Sequence, residues 1–180
     1  MPYSHCTERL IIRPAQLREL DELMSVANTW ENKVLTEGEA FTEDYFIKAI
    51  EEGDLPPIPN ASRDHFDFYS ILKKDTLEII GFMEIYMGYP DDKTLWIGMF
   101  VIDSSQRRNH YGHEIISNLN TLYTKLPFSK VGVGVSLKNW RGLRFWHKMG
   151  FNTLFNVAGD IECTEETHAL IGLIKSNKLV

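Results

Sequence analysis

The sequence predicts an α+β protein built on a single mixed, mainly antiparallel sheet that helices cover on both faces. Three observations support this fold class. Segments with a period-two apolar pattern fill the middle of the chain, amphipathic helical stripes flank them, and both faces of the central strands are apolar. We expect residues 1–180 to form one domain, because no repeat, low-complexity tract or linker divides the chain.

The N-terminal third predicts one strand, two helices and a long loop. Leu10 to Arg13 is a short apolar run, which is typical of a strand. Apolar residues then recur at helical spacing from Leu17 to Ala27. A second helix is expected between its N-cap Thr42 and Gly53. The proline-rich segment from Asp54 to Phe66 is predicted to be loop.

Three strands are expected to follow as an antiparallel meander, because turn residues separate them. They run from Asp67 to Leu72, from Leu77 to Met87 and from Thr94 to Asp103. Alternation along the second strand predicts two apolar faces. One face would carry Ile79, Met83, Ile85 and Met87, and the other Ile80, Phe82 and Tyr86. Helices must then cover the sheet on both sides.

The C-terminal half predicts two helices and three strands. The clearest helical stripe in the chain contains Ile115, Ile116, Leu119, Leu122, Tyr123 and Leu126. A strand from Val131 to Leu137 is followed by a short helix between its N-cap Asn139 and Gly150. Two further apolar segments, Phe151 to Val157 and His168 to Ile174, complete the sheet.

One face of the strand from Val131 to Leu137 is nearly bare, because it consists of Gly132, Gly134 and Ser136. Another group must therefore approach this face closely. Two interpretations are equally open. A helix packs against the glycines, or a ligand passes beside the strand.

The composition excludes several classes of protein. A formal net charge of -6 argues against a general nucleic-acid binder. Cys6 and Cys163 lack a companion histidine at metal-ligand spacing, so we expect free thiols and no metal site. We find no apolar run long enough to cross a membrane and no signal peptide at Met1 to Cys6. We therefore expect a cytoplasmic protein without a membrane partner.

The segment from Ile102 to Gly112 carries the strongest signal for ligand binding. A strand ends, a basic polar loop follows, and a long helix is expected to begin at Gly112. The free N–H groups of a helix N-terminus attract phosphate, and Arg107 and Arg108 add positive charge. From these residues alone, a pyrophosphate site and a solvated basic turn are equally well supported.

Two blocks of this sequence resemble the GNAT (Gcn5-related N-acetyltransferase) superfamily. Residues 106–112 are similar to its acetyl-CoA pyrophosphate loop, in which Gln or Arg is followed by two residues, Gly, one residue, and Gly or Ala. Arg107 takes the first position and Gly112 the last, while His110 stands in place of the middle glycine. The second block resembles the family over residues 139–151, with matches at Asn139, Phe145, Lys148, Gly150 and Phe151.

The N-terminal segment from Thr7 to Pro14 is similar to the start of one branch of this superfamily, the branch containing ribosomal-protein alanine acetyltransferases. Together, the resemblances imply the acyl-CoA N-acyltransferase fold, with acetyl-CoA as co-substrate, a primary amine as acceptor and no metal. Acetyl-CoA would lie in a cleft between two splayed parallel strands that end near Ile102 and Leu137. The residues implied to contact it are Phe100, Val101, Ile102, Arg107, Arg108, Asn109, His110, Tyr111, Gly112, His113, Asn139 and Trp146.

Glu84, Asn139 and Ser136 are the candidate catalytic residues. Glu84 shares a predicted strand face with Ile80, Phe82 and Tyr86, where burial would raise its pKa and suit it to act as a base. The simpler alternative is a solvated charge on a partly open face. Asp103 and His113 are weaker candidates for the base, and Asn139 is implied to lie beside the pantetheine or the acetyl group.

Trp146 occupies the position at which the family usually has a tyrosine, and an indole N–H cannot deliver a proton as a phenol can. Solvent or the hydroxyl of Ser136 would then protonate the departing thiolate. This substitution favours a second interpretation of the chain, a catalytically silent acyl-CoA-binding module.

The acceptor is left open between a small molecule and a peptide N-terminus. It would be chosen by Trp30 to Phe41 and Asp54 to Phe66, the segments that the co-substrate constrains least. An amine of low pKa is the easier acceptor, because an α-amino group near pKa ~7.7 is neutral far more often than a lysine-like amine near ~10.4. The oligomeric state is also open, with a homodimer as one alternative.

Overall fold

The computed structural model describes residues 4–123, 128–162 and 164–176, with the side chains of residues 120–123 left aside. Its eight strands are β1 (His5–Cys6), β2 (Leu10–Pro14), β3 (Phe66–Lys73), β4 (Ile79–Met87), β5 (Thr94–Ile102), β6 (Lys130–Ser136), β7 (Thr153–Gly159) and β8 (Ala169–Ser176). They form one sheet in the order β1-β2-β3-β4-β5-β6-β8-β7. Within this sheet β5 and β6 are parallel and the other neighbours are antiparallel. The predicted mixed, mainly antiparallel sheet is therefore confirmed.

Helices lie on both faces of the sheet, also as predicted. The helices in the described part of the chain are α1 (Leu20–Asn28), α2 (Lys33–Glu37), α3 (Glu43–Glu51), α4 (Tyr111–Tyr123) and α5 (Trp140–Lys148). Short 3-10 turns precede α1, β3 and α4, at Leu17–Glu19, Arg63–His65 and Ser104–Gln106. Apolar residues of α1 and α3 pack in one cluster with Phe82 and Tyr86 of β4. Those of α4 and α5 pack with Met83 and Ile85 on the opposite face.

Local sequence signals set the ends of several helices. Thr42 caps α3 as predicted, because its hydroxyl accepts a hydrogen bond from the Tyr45 backbone N–H at 3.2 Å. The chain leaves that helix at Gly53, which has a φ of 85°. Helix α4 begins at Tyr111, one residue before the expected start at Gly112. Leu126 of its predicted stripe and Cys163 lie outside the described residues, whereas Cys6 is a free, exposed thiol.

The predicted faces of β4 need a correction at its N-terminal end. Ile71 pairs with Gly81 but the next residue of β3, Leu72, pairs with Ile79, so Ile80 is an extra residue in β4. This β-bulge interrupts the alternation. Ile80 therefore packs in the cluster of Met83 and Ile85, whereas Ile79 packs on the other face.

Two further expectations were incomplete. The short helix α2 lies in a segment for which no element was predicted, and the predicted loop from Asp54 to Phe66 ends in a 3-10 turn. The glycine face of β6 lies against the Trp96 side chain of the neighbouring strand β5, not against a helix. A Cβ atom at Gly132 would lie 2.7 Å from the indole of Trp96, and one at Gly134 would lie 3.4 Å from it. These glycines therefore make room for a side chain of the neighbouring strand.

Candidate active site

The parallel strands β5 and β6 pair only at their N-terminal ends. Their backbone pairing runs from Thr94–Lys130 to Ile97–Val133 and stops there. Beyond this point β5 continues to Ile102 and β6 to Ser136. The two strands therefore enclose an opening in the sheet, as the resemblance implied.

A β-bulge in β5 lies at the point where the two strands part. Met83 pairs with Phe100 and Ile85 pairs with Ile97, so Gly98 and Met99 together oppose the single residue Glu84. A bulge bends the strand that carries the extra residue. The bend turns β5 away from β6 and leaves Gly98 exposed at the opening.

Backbone amides of β5 line one edge of this opening. The Asp103 N–H donates to the Ile80 carbonyl oxygen of β4 at 2.8 Å. Because backbone groups alternate in direction along a strand, the amides of Phe100 and Ile102 are directed to the opposite edge, towards β6. The amide of Val101 lies on the β4 side, and its side chain is buried.

The loop before α4 contains two residues in the left-handed region. Arg108 has a φ of 67° and His110 has a φ of 64°. His110 thus adopts the conformation that a glycine takes freely at this position of the family pattern, at a cost of about 1–3 kcal/mol. Arg107, Arg108, Asn109 and His110 are all exposed. The loop therefore presents two arginines and a helix N-terminus to solvent.

Close packing holds α4 beside the opening. A Cβ atom at Gly112 would lie 3.4 Å from the Phe145 ring and 3.5 Å from the Phe100 ring. Arg9 forms an ion pair of 2.8 Å with Glu114, and its guanidinium group lies 4.5 Å from the centre of the Tyr111 ring. The Tyr111 side chain is therefore engaged by the N-terminal segment, whereas His113 is exposed on the helix.

A third arginine, which sequence reasoning missed, lies near the loop. Arg107 donates from Nε to the Ile102 carbonyl oxygen at 3.2 Å. Arg107 is exposed as a residue, but partial burial of its guanidinium group and the nearby positive charge of Arg141 both lower its pKa. Arg141 belongs to the first turn of α5 and is exposed. The sequence signal that could have indicated Arg141 was its position within residues 139–151, the second block that resembles the family.

Asn139 and Trp146 have structural contacts in α5. Asn139 Oδ1 accepts a hydrogen bond from the Gly142 backbone N–H at 2.9 Å and so caps the helix. Trp146 is 6% exposed, and its ring centre lies 4.9 Å from that of Phe151 and 5.9 Å from that of Phe100. The structure therefore places the indole in the hydrophobic core.

Glu84 is a buried carboxyl group opposite the bulge. It is 1% exposed, which excludes the alternative of a solvated charge. Tyr45 of α3 donates from its hydroxyl to Glu84 Oε1 at 2.5 Å. The other oxygen, Oε2, lies 3.1 Å from the position that a Cβ atom would take at Gly98. Burial raises the pKa of Glu84 to about 8, and the hydrogen bond from Tyr45 opposes this shift.

A cavity of about 420 Å³ adjoins Glu84 and the opening. Gly98 of β5 and Gly134 and Ser136 of β6 belong to its wall, and these residues follow the last paired residues of the two strands. Both segments expected to choose the acceptor contribute to the wall, through Glu37 and Asp54 among others. The cavity therefore connects the buried carboxyl group with the gap in the sheet.

Ser136 carries a hydroxyl group in this wall. The residue is buried, and its Oγ accepts a hydrogen bond from the Lys138 backbone N–H at 3.2 Å. The hydroxyl proton is left to donate elsewhere. Ser136 thus offers a proton donor on the β6 side of the opening.

Tyr45 and Lys33 are further residues around Glu84 that the sequence did not indicate. Tyr45 precedes Glu84 by 39 residues, and no local pattern links them. Lys33 is buried, which lowers its pKa. Its Nζ donates to the Glu39 carbonyl oxygen at 3.3 Å and lies 4.6 Å from the centre of the Phe41 ring. The positive charge of Lys33 lowers the pKa of Glu84.

The described residues can also be compared with what a metal site or a membrane-spanning helix requires. Within residues 4–123, 128–162 and 164–176, no cluster of histidine, cysteine or acidic side chains is arranged to hold a metal ion. The helices of this described part include none long and apolar enough to cross a membrane.

The sequence matches the acetyltransferase (GNAT) family over residues 28–151, and the chain belongs to this family. The family resemblance of the two sequence blocks is thereby confirmed. A search of curated proteins finds no match.

Solved structures of the same fold include several acetyltransferases. A GCN5-related N-acetyltransferase from Brucella melitensis superimposes with a TM-score of 0.74 at 12% identity, covering 97% of this chain and 79% of the other. An acetyltransferase from Thermus thermophilus gives 0.68 at 14% identity, with 96% and 99% covered. A ribosomal-protein alanine acetyltransferase from Vibrio fischeri gives 0.68 at 9% identity, with 98% of each chain covered. At these identities, the likeness establishes the fold.

Proposed function

We propose that this protein is an N-acetyltransferase that moves the acetyl group of acetyl-CoA to a primary amine, with residues 1–180 as its single catalytic domain. One observation carries the proposal. Glu84 is a buried carboxyl group of raised pKa in a cavity that reaches the gap between β5 and β6. A base with a pKa near the working pH is suited to accept a proton from an ammonium group. A cytoplasmic location agrees with the free thiol of Cys6.

The residues around the opening fit acetyl-CoA. The amides of Phe100 and Ile102 are available to the polar groups of the pantetheine arm, as backbone donors along a free strand edge. The N-terminus of α4 and the exposed side chains of Arg107 and Arg108 suit the pyrophosphate. Arg141 adds positive charge beside Arg107.

The proposed chemistry is a direct transfer. Glu84 accepts a proton from the ammonium group of the acceptor, so that its nitrogen becomes a nucleophile. The nitrogen lone pair forms a C–N bond to the thioester carbonyl carbon, and the C–S bond breaks. The second proton of the amine leaves to solvent, and the departing thiolate takes a proton from solvent, either directly or through the Ser136 hydroxyl, which regains its proton from solvent as it gives its own to the sulfur. The products are the N-acetylated amine and CoA with a free thiol.

The test is an assay of thiol release from acetyl-CoA in the presence of a panel of primary amines. Glu84→Gln keeps the shape of the side chain and its capacity to accept from Tyr45, but it removes the base. We expect a loss of at least about a hundredfold in kcat, as is typical for a general base. Glu52→Gln, an exposed carboxylate outside the cavity, is the matched control. An active Glu84→Gln protein would contradict the assignment of the base.

A second candidate function is a silent acyl-CoA-binding module. Trp146 favours it, because a core indole stands where the family usually has a tyrosine. The distinguishing result is calorimetric binding of acetyl-CoA without turnover on any amine in the panel. In that case Trp146→Tyr would restore activity. If the natural chain already turns over and Trp146→Tyr changes its rate only modestly, the silent module is excluded.

A further inference from the structure

The cavity beside Glu84 has charged groups of one sign. Glu37, Asp54 and Glu84 line it, and among the lining residues that the structure describes none is basic. Asp54 is exposed, and its charge raises the pKa of both Glu84 and Tyr45. The negative charge of Asp54 therefore affects the same cavity that the buried carboxyl group of Glu84 lines.

Lys33 makes no ion pair with these carboxyl groups among the described residues. Burial raises the pKa of Glu37 as it raises that of Glu84, and the charge of Lys33 opposes both shifts. The Lys33 Nζ donates to the Glu39 carbonyl oxygen and lies over the Phe41 ring. Asp54 takes part in none of the ion pairs of the described residues. Asp54 therefore presents to the cavity a carboxylate that no described cation pairs with, and a cationic group on a bound molecule would match it.

Aromatic rings form much of the remaining wall. They belong to Phe66, Tyr86, Tyr89, Trp96 and Phe155. The Trp96 ring is edge-on to Tyr89 at 4.9 Å and to Phe155 at 5.8 Å. Aromatic faces attract ammonium groups and also pack against methylene chains. Acidic and aromatic groups together thus favour a ligand that has an ammonium group attached to an alkyl chain.

We propose that the acceptor is a small amine with a second positive charge, of which an aliphatic diamine is the simplest example. This inference rests on the proposed function, since it assigns the reacting nitrogen to Glu84. One ammonium group lies at Glu84 and loses its proton there. The other is paired with Asp54 and Glu37 and stays charged. A carboxylate on the acceptor is repelled by the same two groups.

Three acceptors of equal chain length test the inference, because they differ only at the far end. Putrescine ends in an ammonium group, n-butylamine in a methyl group, and γ-aminobutyrate in a carboxylate. A charge-assisted contact that only the diamine makes predicts a kcat/KM for putrescine about tenfold or more above that for n-butylamine. γ-Aminobutyrate is expected to fall below n-butylamine. The three rates are measured by thiol release at one pH.

The source of the preference is tested with variants. Asp54→Asn combined with Glu37→Gln is expected to bring the ratio of the putrescine and n-butylamine rates to within about threefold. Glu52→Gln, whose exposed carboxylate lies outside the cavity wall, is expected to leave the ratio unchanged. Calorimetry of putrescine and n-butylamine, with CoA present, measures the same preference without turnover.

The outcomes separate this inference from the proposed function. If n-butylamine or γ-aminobutyrate is turned over as fast as putrescine, the proposed acceptor class is wrong, whereas the proposed acetyltransferase activity is supported. If putrescine binds in a way that depends on Asp54 and Glu37 but no amine is turned over, the charge preference is supported and the proposed catalytic activity is wrong. A preference that survives the double substitution overturns the assignment of the two carboxylates. Absence of both binding and turnover overturns both proposals.

Discussion

Glu84 combines two properties that rarely coexist, burial at 1% exposure and contact with a cavity. The first raises its pKa to about 8. The second would give the proposed amine acceptor access to it. Below that pH the carboxyl group holds its proton and cannot accept another one.

Activity is therefore expected to rise with pH and to level off near pH 8. A profile of log(kcat/KM) against pH for the natural chain, with n-butylamine or putrescine, should contain this limb. Because Glu84 takes its proton from the ammonium form of the acceptor, activity of the natural chain should fall again above the acceptor pKa of ~10.4. Glu84→Gln depends on the neutral amine, so its activity should lack the limb near pH 8 and rise towards that acceptor pKa. If the limb near pH 8 is identical in both proteins, it arises from a group other than Glu84.

The same carboxyl group also makes the folded state sensitive to pH. Its pKa is about 8 when folded, against a reference value of 4.5. The folded protein therefore holds this proton where the unfolded chain has lost it. The contribution of Glu84 to the free energy of unfolding thus falls as pH rises between these two values, and it is constant above about 8.

We expect the natural chain to lose more stability than Glu84→Gln between about pH 6 and about pH 9, by on the order of 2 kcal/mol. For a chain of this size the difference corresponds to about 4–8 °C in Tm. Thermal unfolding of both proteins at the two pH values measures it. Glu52→Gln should follow the natural chain. Parallel changes in all three proteins would mean that Glu84 titrates near its ordinary pKa.

The sequence predicts part of this site at the scale of single residues. Alternation along a strand was enough to place Glu84 beside Phe82 and Tyr86, but it left a solvated charge as the simpler alternative, and only the packing of the structure shows the carboxyl group to be buried. Tyr45 and Asp54 could not be predicted in the same way. They reach Glu84 only because α3 and the following loop pack across the sheet, and no local periodicity encodes such a distant contact.

At the scale of elements, the connection between β5 and α4 is expected to determine binding of acetyl-CoA. Calorimetry should find that the combined substitution Arg107→Ala and Arg108→Ala weakens binding at least about tenfold, since two charge-assisted contacts are lost. Arg18→Ala removes an exposed arginine from a distant turn and should bind as the natural chain does. Equal affinity in all three proteins would show that the phosphates lie elsewhere.

Helix ends and bulges differ in how well the sequence predicts them. Thr42 and Gly53 delimit α3 as expected, because caps depend on residues within one turn. The bulges at Ile80 and Gly98 depend on how two strands pair, so alternation alone gave the wrong face for Ile80. Gly98 was the available signal, since an isolated glycine within a strand often marks a bulge.

At the scale of the whole molecule, the sheet separates two hydrophobic clusters. The cluster that includes α4 and α5 lies on one face, and the cluster that includes α1 and α3 lies on the other. Glu84 shares a strand face with Phe82 and Tyr86, on the side of α1 and α3. Under the proposed function, the gap between β5 and β6 would let acetyl-CoA and the acceptor meet from opposite faces of the sheet.

The two antiparallel halves of the sheet are joined by a seam of four residue pairs between β5 and β6, from Thr94–Lys130 to Ile97–Val133. On either side of this seam the neighbouring strands are antiparallel, with the bulge opposite Glu84 on the β4 side and an uninterrupted ladder between β6 and β8. Past the seam, the amides of Phe100 and Ile102 lack a neighbouring strand that would shield them from exchange with solvent. A bound pantetheine would serve in place of that strand.

Hydrogen exchange followed by mass spectrometry should therefore find the amides of Phe100 and Ile102 fast in the free protein and slower with acetyl-CoA bound. Peptides from β2 and β3 should exchange equally in both states. The rate of deuterium uptake in a few residues of β5 would then report occupancy of the gap for any acyl-CoA, whether or not an amine is ever acetylated.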